Sequence, residues 1–243
     1  MRIIKLDATD STNSYLRDLI ALETLDDYTV VTAKKQNQGR GQMGAVWSSQ
    51  TSKSLTFSVF KDVSGLDIDA SFSISMISAL AIIKALQSFS IPKLRIKWPN
   101  DILSGDKKIC GILIENVIKQ NNLNASIIGV GLNVNETEFK NLPRATSLKL
   151  ISGNNFNLEE VLLAILESLK SHFSIFHKGN YALLKEEYES HLFRKNIPST
   201  FKNCNNLTFS GFIQGVSNSG NLQILLEDNI IKEFNLKEIT LLY

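Results

Sequence analysis

The sequence predicts a mixed α/β (α+β) fold with a small all-β unit at its C-terminal end, on three observations. Segments of β-branched residues in alternation are interspersed with segments whose apolar positions recur at i, i+3 and i+4. After Pro198 the texture changes to short alternating stretches separated by turn residues. The 243 residues are 43% hydrophobic and 21% charged, the composition of a packed chain, because disorder needs fewer apolar residues or a larger net charge.

Each element has its own signal. Arg2–Asp7 reads as a strand, and Asp10 or Ser11 caps a helix carrying Tyr15, Leu16, Leu19 and Ile20 on one face. Tyr28–Ala33 and Ser54–Phe60 read as strands. Ala70–Phe89 is a long helix with Ile74, Ile77, Leu80, Ala81 and Ile83 inward. Leu94–Trp98 is a strand stopped by Pro99, and Ile109–Ile118, entered through a turn at Ser104–Asp106, and Ser126–Val134 are two more. Helices follow at about Leu158–Phe176, with Asn157 as N-cap and Glu160 as its capping-box partner, and at Tyr181–Leu192. Thr200–Tyr243 forms a small antiparallel sheet or barrel, too small to stand alone without support. The boundary falls near Phe193–Thr200, giving units of 1–195 and 196–243.

Composition excludes several function classes. A formal charge of +2 attracts the chain to neither nucleic acid nor acidic membranes, so any anion site must be local. Cys110 and Cys204 make no disulfide framework, and His172, His177 and His191 have no metal-ligand spacing. Asp7 stands where a secretory leader needs its apolar core. No run is expected to reach the roughly 18–20 apolar residues of a membrane span. The expectation is a cytoplasmic, reduced, globular protein.

Chemistry concentrates in four places. Lys34–Ala45 holds three of the thirteen glycines, and Tyr28–Lys61 contains five positive charges and no acid. Backbone N–H groups and Arg40 suit such a loop to an anion, although a basic hairpin loop explains it too. Lys97–Leu103 (KWPNDIL) places Asn100 and Asp101 after a proline turn and leads to Lys107-Lys108. That is either an ordinary capped turn or a lysine and a carboxylate gathered to handle a nucleotide; Lys107 alone reads as solvated. Gly129 and Gly131 alternate on one strand face, leaving room for a flat ligand or another backbone, or simply meeting a strand-packing requirement. DSTN (Asp10–Asn13) is an N-cap, or a set of hydroxyl and amide groups for a polar head group.

In this order and spacing, DSTN, QNQGRGQMGAVW (Gln36–Trp47), KWPNDIL, KKICGILIE (Lys107–Glu115), GVGLNVN (Gly129–Asn135) and ATSL (Ala145–Leu148) resemble the biotin–protein ligases, also called biotin–acetyl-CoA-carboxylase ligases. The resemblance covers essentially the whole chain. It implies a catalytic domain with a mixed sheet like that of class II aminoacyl-tRNA synthetases, followed by an SH3-like barrel. It implies that biotin and Mg2+-ATP form biotinyl-5′-AMP, whose acyl group passes to one lysine of a biotin carboxyl carrier domain of a biotin-dependent carboxylase. DSTN begins at residue 10, so the ligase-only form is expected, without the helix-turn-helix domain of some members and without DNA binding.

By resemblance, Lys108 is the central catalytic cation and Arg40 a phosphate ligand that orders the loop. Ser11, Thr12, Asn13, Gln36, Arg40, Gly41, Gln42, Lys108, Gly111 and Gly129 carry over to biotin. Arg40, Trp47, Asn100, Asp101, Lys108 and Asn133 carry over to ATP, Asn100 and Asp101 matching its nucleotide and magnesium side, with no metal ligand assigned. Many members have the pattern G-R-G-R-x-G-R; here Gln42 and Ala45 replace two of its arginines. A homodimer by sheet extension is a family habit. The rivals are a lipoate or octanoate ligase of the same fold and a non-catalytic biotin sensor.

Overall fold

The computed structural model describes residues 1–120 and 122–243. Seven strands form the main sheet: β1 (Ile3–Thr9), β2 (Val30–Gln36), β3 (Leu55–Leu66), β4 (Leu94–Lys97), β5 (Asp101–Ser104), β6 (Lys107–Lys119) and β7 (Asn122–Leu132), in the order β1-β2-β3-β7-β6-β5-β4. Only β1 and β2 run parallel; the other pairs are antiparallel, so the sheet is mixed.

Helices cover both faces because β3 alternates. Phe57, Val59 and Val63 enter the large core beneath α2 (Ser71–Ser88), α4 (Leu158–His177) and α5 (Tyr181–Ser190), whereas Phe60 joins a small cluster beneath α1 (Thr12–Leu22). On that second face β3 also buries Thr56 and Ser58, polar groups where a core would place carbon. The short helix α3 (Leu148–Ser152) completes the set.

Most expected elements are present, with three differences. Asp101–Ser104 is a strand of its own, created by pairing with its neighbours on both sides; four residues carry too little pattern to announce themselves. Likewise α3 is too short for periodicity to reveal. Contrary to the expectation of no membrane-length run, α2 is 18 residues long and apolar enough to pass that test, yet 72% of it is buried in the protein. Its apolar all-round surface reflects burial among β6, α4 and α5.

The C-terminal segment makes a five-stranded antiparallel sheet from β8 (Pro198–Asn203), β9 (Thr208–Val216), β10 (Leu222–Leu225), β11 (Ile231–Phe234) and β12 (Ile239–Leu242), in the order β11-β10-β9-β8-β12. Its Phe201, Ile213, Val216, Leu222 and Ile224 belong to the same continuous cluster as α2 and the main sheet. That shared core supplies the support so small a sheet needs.

Candidate active site

A cavity of about 290 Å3 opens where α1, the Gly39–Trp47 loop, β6 and β7 converge. Part of its lining is polar. Ser11 caps α1, its hydroxyl accepting from Ser14 N at 3.5 Å. The Gln36 amide oxygen accepts from Thr12 N (2.7 Å) and Thr12 Oγ1 (3.1 Å). Ser58 Oγ lies 2.7 Å from Thr12 Oγ1 and 2.5 Å from Asn13 Oδ1. Four polar side chains from α1, β2 and β3 thus form one network, with Ser11, Thr12, Asn13 and Ser58 all buried.

The floor is built of glycines. Sheet register places Gly111 of β6 opposite Gly131 of β7, and Leu113 opposite Gly129. The protein itself fills the room these glycines leave: a Cβ on Gly131 would lie 2.3 Å from Trp47 Cε2, and one on Gly129 2.3 Å from Asn13 Oδ1. The flat group over Gly131 is therefore the Trp47 indole, whose buried Nε1 has no hydrogen-bond partner among the described residues. Asn13 is locked over Gly129 and donates onward to Glu115 Oε2 at 2.8 Å.

Cations stand at both sides. Lys108 Nζ lies 2.6 Å from Asp101 Oδ1 and 5.9 Å from the Trp47 ring centre, while Lys97 approaches the other Asp101 oxygen at 3.7 Å. Two ammonium groups thus share one carboxylate that is 14% exposed, and the cavity keeps a net positive end. Arg40 turns to Glu115 at 2.9 Å, and Arg17 reaches the second Glu115 oxygen at the same distance. Glu115 therefore ties the loop, α1 and β6 together. Beside Lys108, burial pushes the Cys110 thiol far above its usual range, which leaves it inert at neutral pH.

Of the sequence-derived residues, Ser11, Thr12, Asn13, Gln36, Arg40, Gly41, Gln42, Trp47, Asn100, Asp101, Lys108, Gly111 and Gly129 all line this one cavity. Asn133 does not line it. Its buried amide donates to Thr146 O at 3.0 Å, steadying the ATSL segment whose backbone brackets Lys108: Lys108 N donates to Arg144 O and Thr146 N to Lys108 O. Gly131, Lys97, Ile112 and Leu236 line the cavity without having been singled out as ligands, and Glu115 and Arg17 escaped as well. Lys97, Ile112, Glu115 and Gly131 left a signal as members of quoted motifs, whereas Arg17 and Leu236 left none.

Residues 6–133 match the family described as Biotin/lipoate A/B protein ligase. The chain is 28% identical over 239 residues to the bifunctional ligase/repressor BirA of Bacillus spizizenii, covering 96% of this chain and 72% of that one. It is 31% identical over 150 residues to the biotin--[acetyl-CoA-carboxylase] ligase of Mycobacterium tuberculosis, 59% of this chain and 54% of the other. The solved structure of biotin protein ligase from Aquifex aeolicus in complex with biotin and ATP superposes with a TM-score of 0.83 at 27% identity, covering 99% and 98% of the two chains.

Proposed function

The chain belongs to the Biotin/lipoate A/B protein ligase family, and on that premise we propose that its cavity activates biotin with ATP and hands the biotinyl group to a lysine of a biotin carboxyl carrier domain. One observation carries this reading: a buried neutral polar network and a fixed ammonium group line the same cavity. The network suits a ureido ring, which has one acceptor and two donors. A lipoyl or octanoyl chain has neither, and would gain no hydrogen bond from Thr12, Gln36 and Ser58, which then bond only one another.

The first step brings a carboxylate against the α-phosphate of ATP, two anions whose repulsion must be offset. Lys108 supplies that charge, and Asp101 holds its ammonium in place, so no reorganisation is required when the pentacoordinate phosphorus forms. Carboxylate oxygen bonds to phosphorus and pyrophosphate leaves. Arg40, which lines the cavity, keeps the loop against the Glu115 node. The lysine amine of the carrier then attacks the acyl carbon, and AMP departs.

Magnesium enters as the companion of ATP. Among the described residues no group of three His, Cys, Asp or Glu side chains could hold a metal, and both Asp101 oxygens face ammonium groups. These residues do not fit a resident ion, and no step is routed through one.

In the same reading, residues 1–195 form the catalytic unit and 196–243 the small one, the protein works in the cytoplasm, and its charge of +2 supports no role in DNA binding. Pyrophosphate release with Mg2+-ATP, measured with biotin, lipoate and octanoate, tests the assignment. Release with biotin alone is expected; release with lipoate and not biotin overturns it.

A further inference from the structure

Glu136 carries a buried carboxyl group, 6% exposed, that stands outside the cavity and that the mechanism above leaves unused. Acidic side chains are almost never buried this far without a partner. Its partner is a hydroxyl: Ser54 Oγ, 2% exposed, donates to Glu136 Oε2 at 2.8 Å. The backbone oxygen of Glu136 accepts in turn from Ser147 Oγ at 2.5 Å, and Ser147 is fully buried. One residue thus joins the entry to β3, the exit from β7 and the ATSL segment. The chain between those points has little hold of its own, since of residues 137–144 only Phe139 is not exposed. Backbone bonds clamp its two ends. Asn135 N donates to Lys53 O at 2.7 Å, Lys108 N to Arg144 O at 2.7 Å, and Thr146 N to Lys108 O at 2.9 Å.

We infer that Glu136 is a positioning residue for the adenylation step, holding the ATSL segment, and through it Lys108, against the start of β3. The inference rests on the ligase reading and deepens it by adding a residue that touches no substrate. The route is short. Ser147, bonded to Glu136 O, follows Thr146, whose N–H donates to Lys108 O. On the other side Glu136 reaches Ser54, next to Leu55, which pairs with Leu132 of β7. The strand that follows the glycine loop and the backbone that carries the ammonium group are therefore set relative to one another by one carboxyl group. A fixed charge stabilises a transition state only where it is already in place, and a misplacement of about 1 Å can cost about 10²-fold. Ser54 and Glu136 are both sealed from water, so removing either leaves the other without a partner. Asn133 secures the same segment separately, its amide donating to Thr146 O at 3.0 Å. Loss of Glu136 therefore loosens Lys108 without freeing it, and the effect falls short of deleting that lysine.

The test measures single-turnover formation of biotinyl-5′-AMP by the full chain with saturating biotin and Mg2+-ATP. Glu136→Leu, which keeps the volume and removes the acceptor, should slow it about tenfold; Ser54→Ala, the milder deletion of the same bond, should slow it about threefold or more. Glu136→Gln keeps an acceptor oxygen for Ser54 and should recover most of the rate. Biotin affinity should stay within about twofold in all three, because the Thr12–Gln36–Ser58 network keeps its bonds. In a Lys108→Ala background Glu136→Leu should change the residual rate less than about twofold, since it acts through that lysine. The full loss repeated in that background overturns the inference and leaves Glu136 a general stabiliser. Unchanged adenylation in Ser54→Ala overturns it too, even where Glu136→Leu does not fold. So does a biotin Kd raised about tenfold in Glu136→Leu, which places the effect on the biotin end of the cavity. An unsubstituted protein that forms no adenylate overturns the ligase reading, and this inference with it.

Discussion

Replacing Glu115 with glutamine tests whether the glycine loop is held by charge. The carboxylate accepts Arg40 at 2.9 Å and Asn13 at 2.8 Å on one oxygen, and Arg17 at 2.9 Å on the other. Glutamine keeps one acceptor and turns an N–H2 toward one of the guanidinium groups. Both arginines are about half exposed, at 42% and 54%, while Glu115 is 17% exposed. Each ion pair is therefore worth roughly 0.5–1 kcal/mol, the upper part of the range for surface pairs. Only the Arg40 pair joins the loop to the sheet, so the loop loses about that much, equivalent to opening roughly two- to fivefold more often. Release of preformed biotinyl-5′-AMP, followed by stopped-flow or filter trapping, should speed by that factor. In the double-mutant cycle with Arg40→Ala most of the effect should vanish. A lowered melting temperature with unchanged release, or full additivity in the cycle, would refute the reasoning and leave Glu115 a purely structural group.

Lys108→Ala should lower single-turnover adenylation by about 10²–10³-fold, the usual cost of removing one preorganised charge, with the fold retained by circular dichroism; near-normal adenylation would take Lys108 out of the mechanism. Gln42→Arg should slow adenylate release several-fold, because glutamine at this half-exposed position has only neutral hydrogen bonds to offer, and equal or faster release would show that closure there does not depend on charge. A thiol-specific chromogenic reagent should titrate one cysteine in the native protein, exposed Cys204, and two after denaturation, since Cys110 is buried and its thiol pKa pushed up. Burial of His191, opposed by Glu187 and assisted by Arg95, lowers its pKa. Because the unfolded chain then binds the proton more readily, this contribution is intact above the ordinary histidine pKa of about 6.5 and is lost as pH falls through it. Melting temperatures from pH 8 to 5 should therefore fall less in His191→Asn than in the unsubstituted protein, and parallel curves would remove His191 from the pH dependence.

Local order was legible in the sequence because it follows from local causes. The i, i+4 stripe of α1 with Ser11 as its cap, the alternation of β3, and the acid-free glycine loop are written in neighbouring residues, and backbone sterics allow few other outcomes. The motif resemblance brought thirteen of the expected site residues to one cavity. Their partners belong to tertiary structure. Asn13 meets Glu115 from 102 positions away, and Trp98 meets Gly220 from 122, so no window of sequence contains either pair. Register decided that Gly111 faces Gly131 and that the indole of Trp47, rather than a ligand, lies over Gly131. Asn133 follows the same rule: the folded chain set Thr146 O within reach of its amide, and a buried donor takes the acceptor that water no longer supplies. Spacing along the chain determines which groups a strand or helix presents; only the packing of distant elements determines which of them meet.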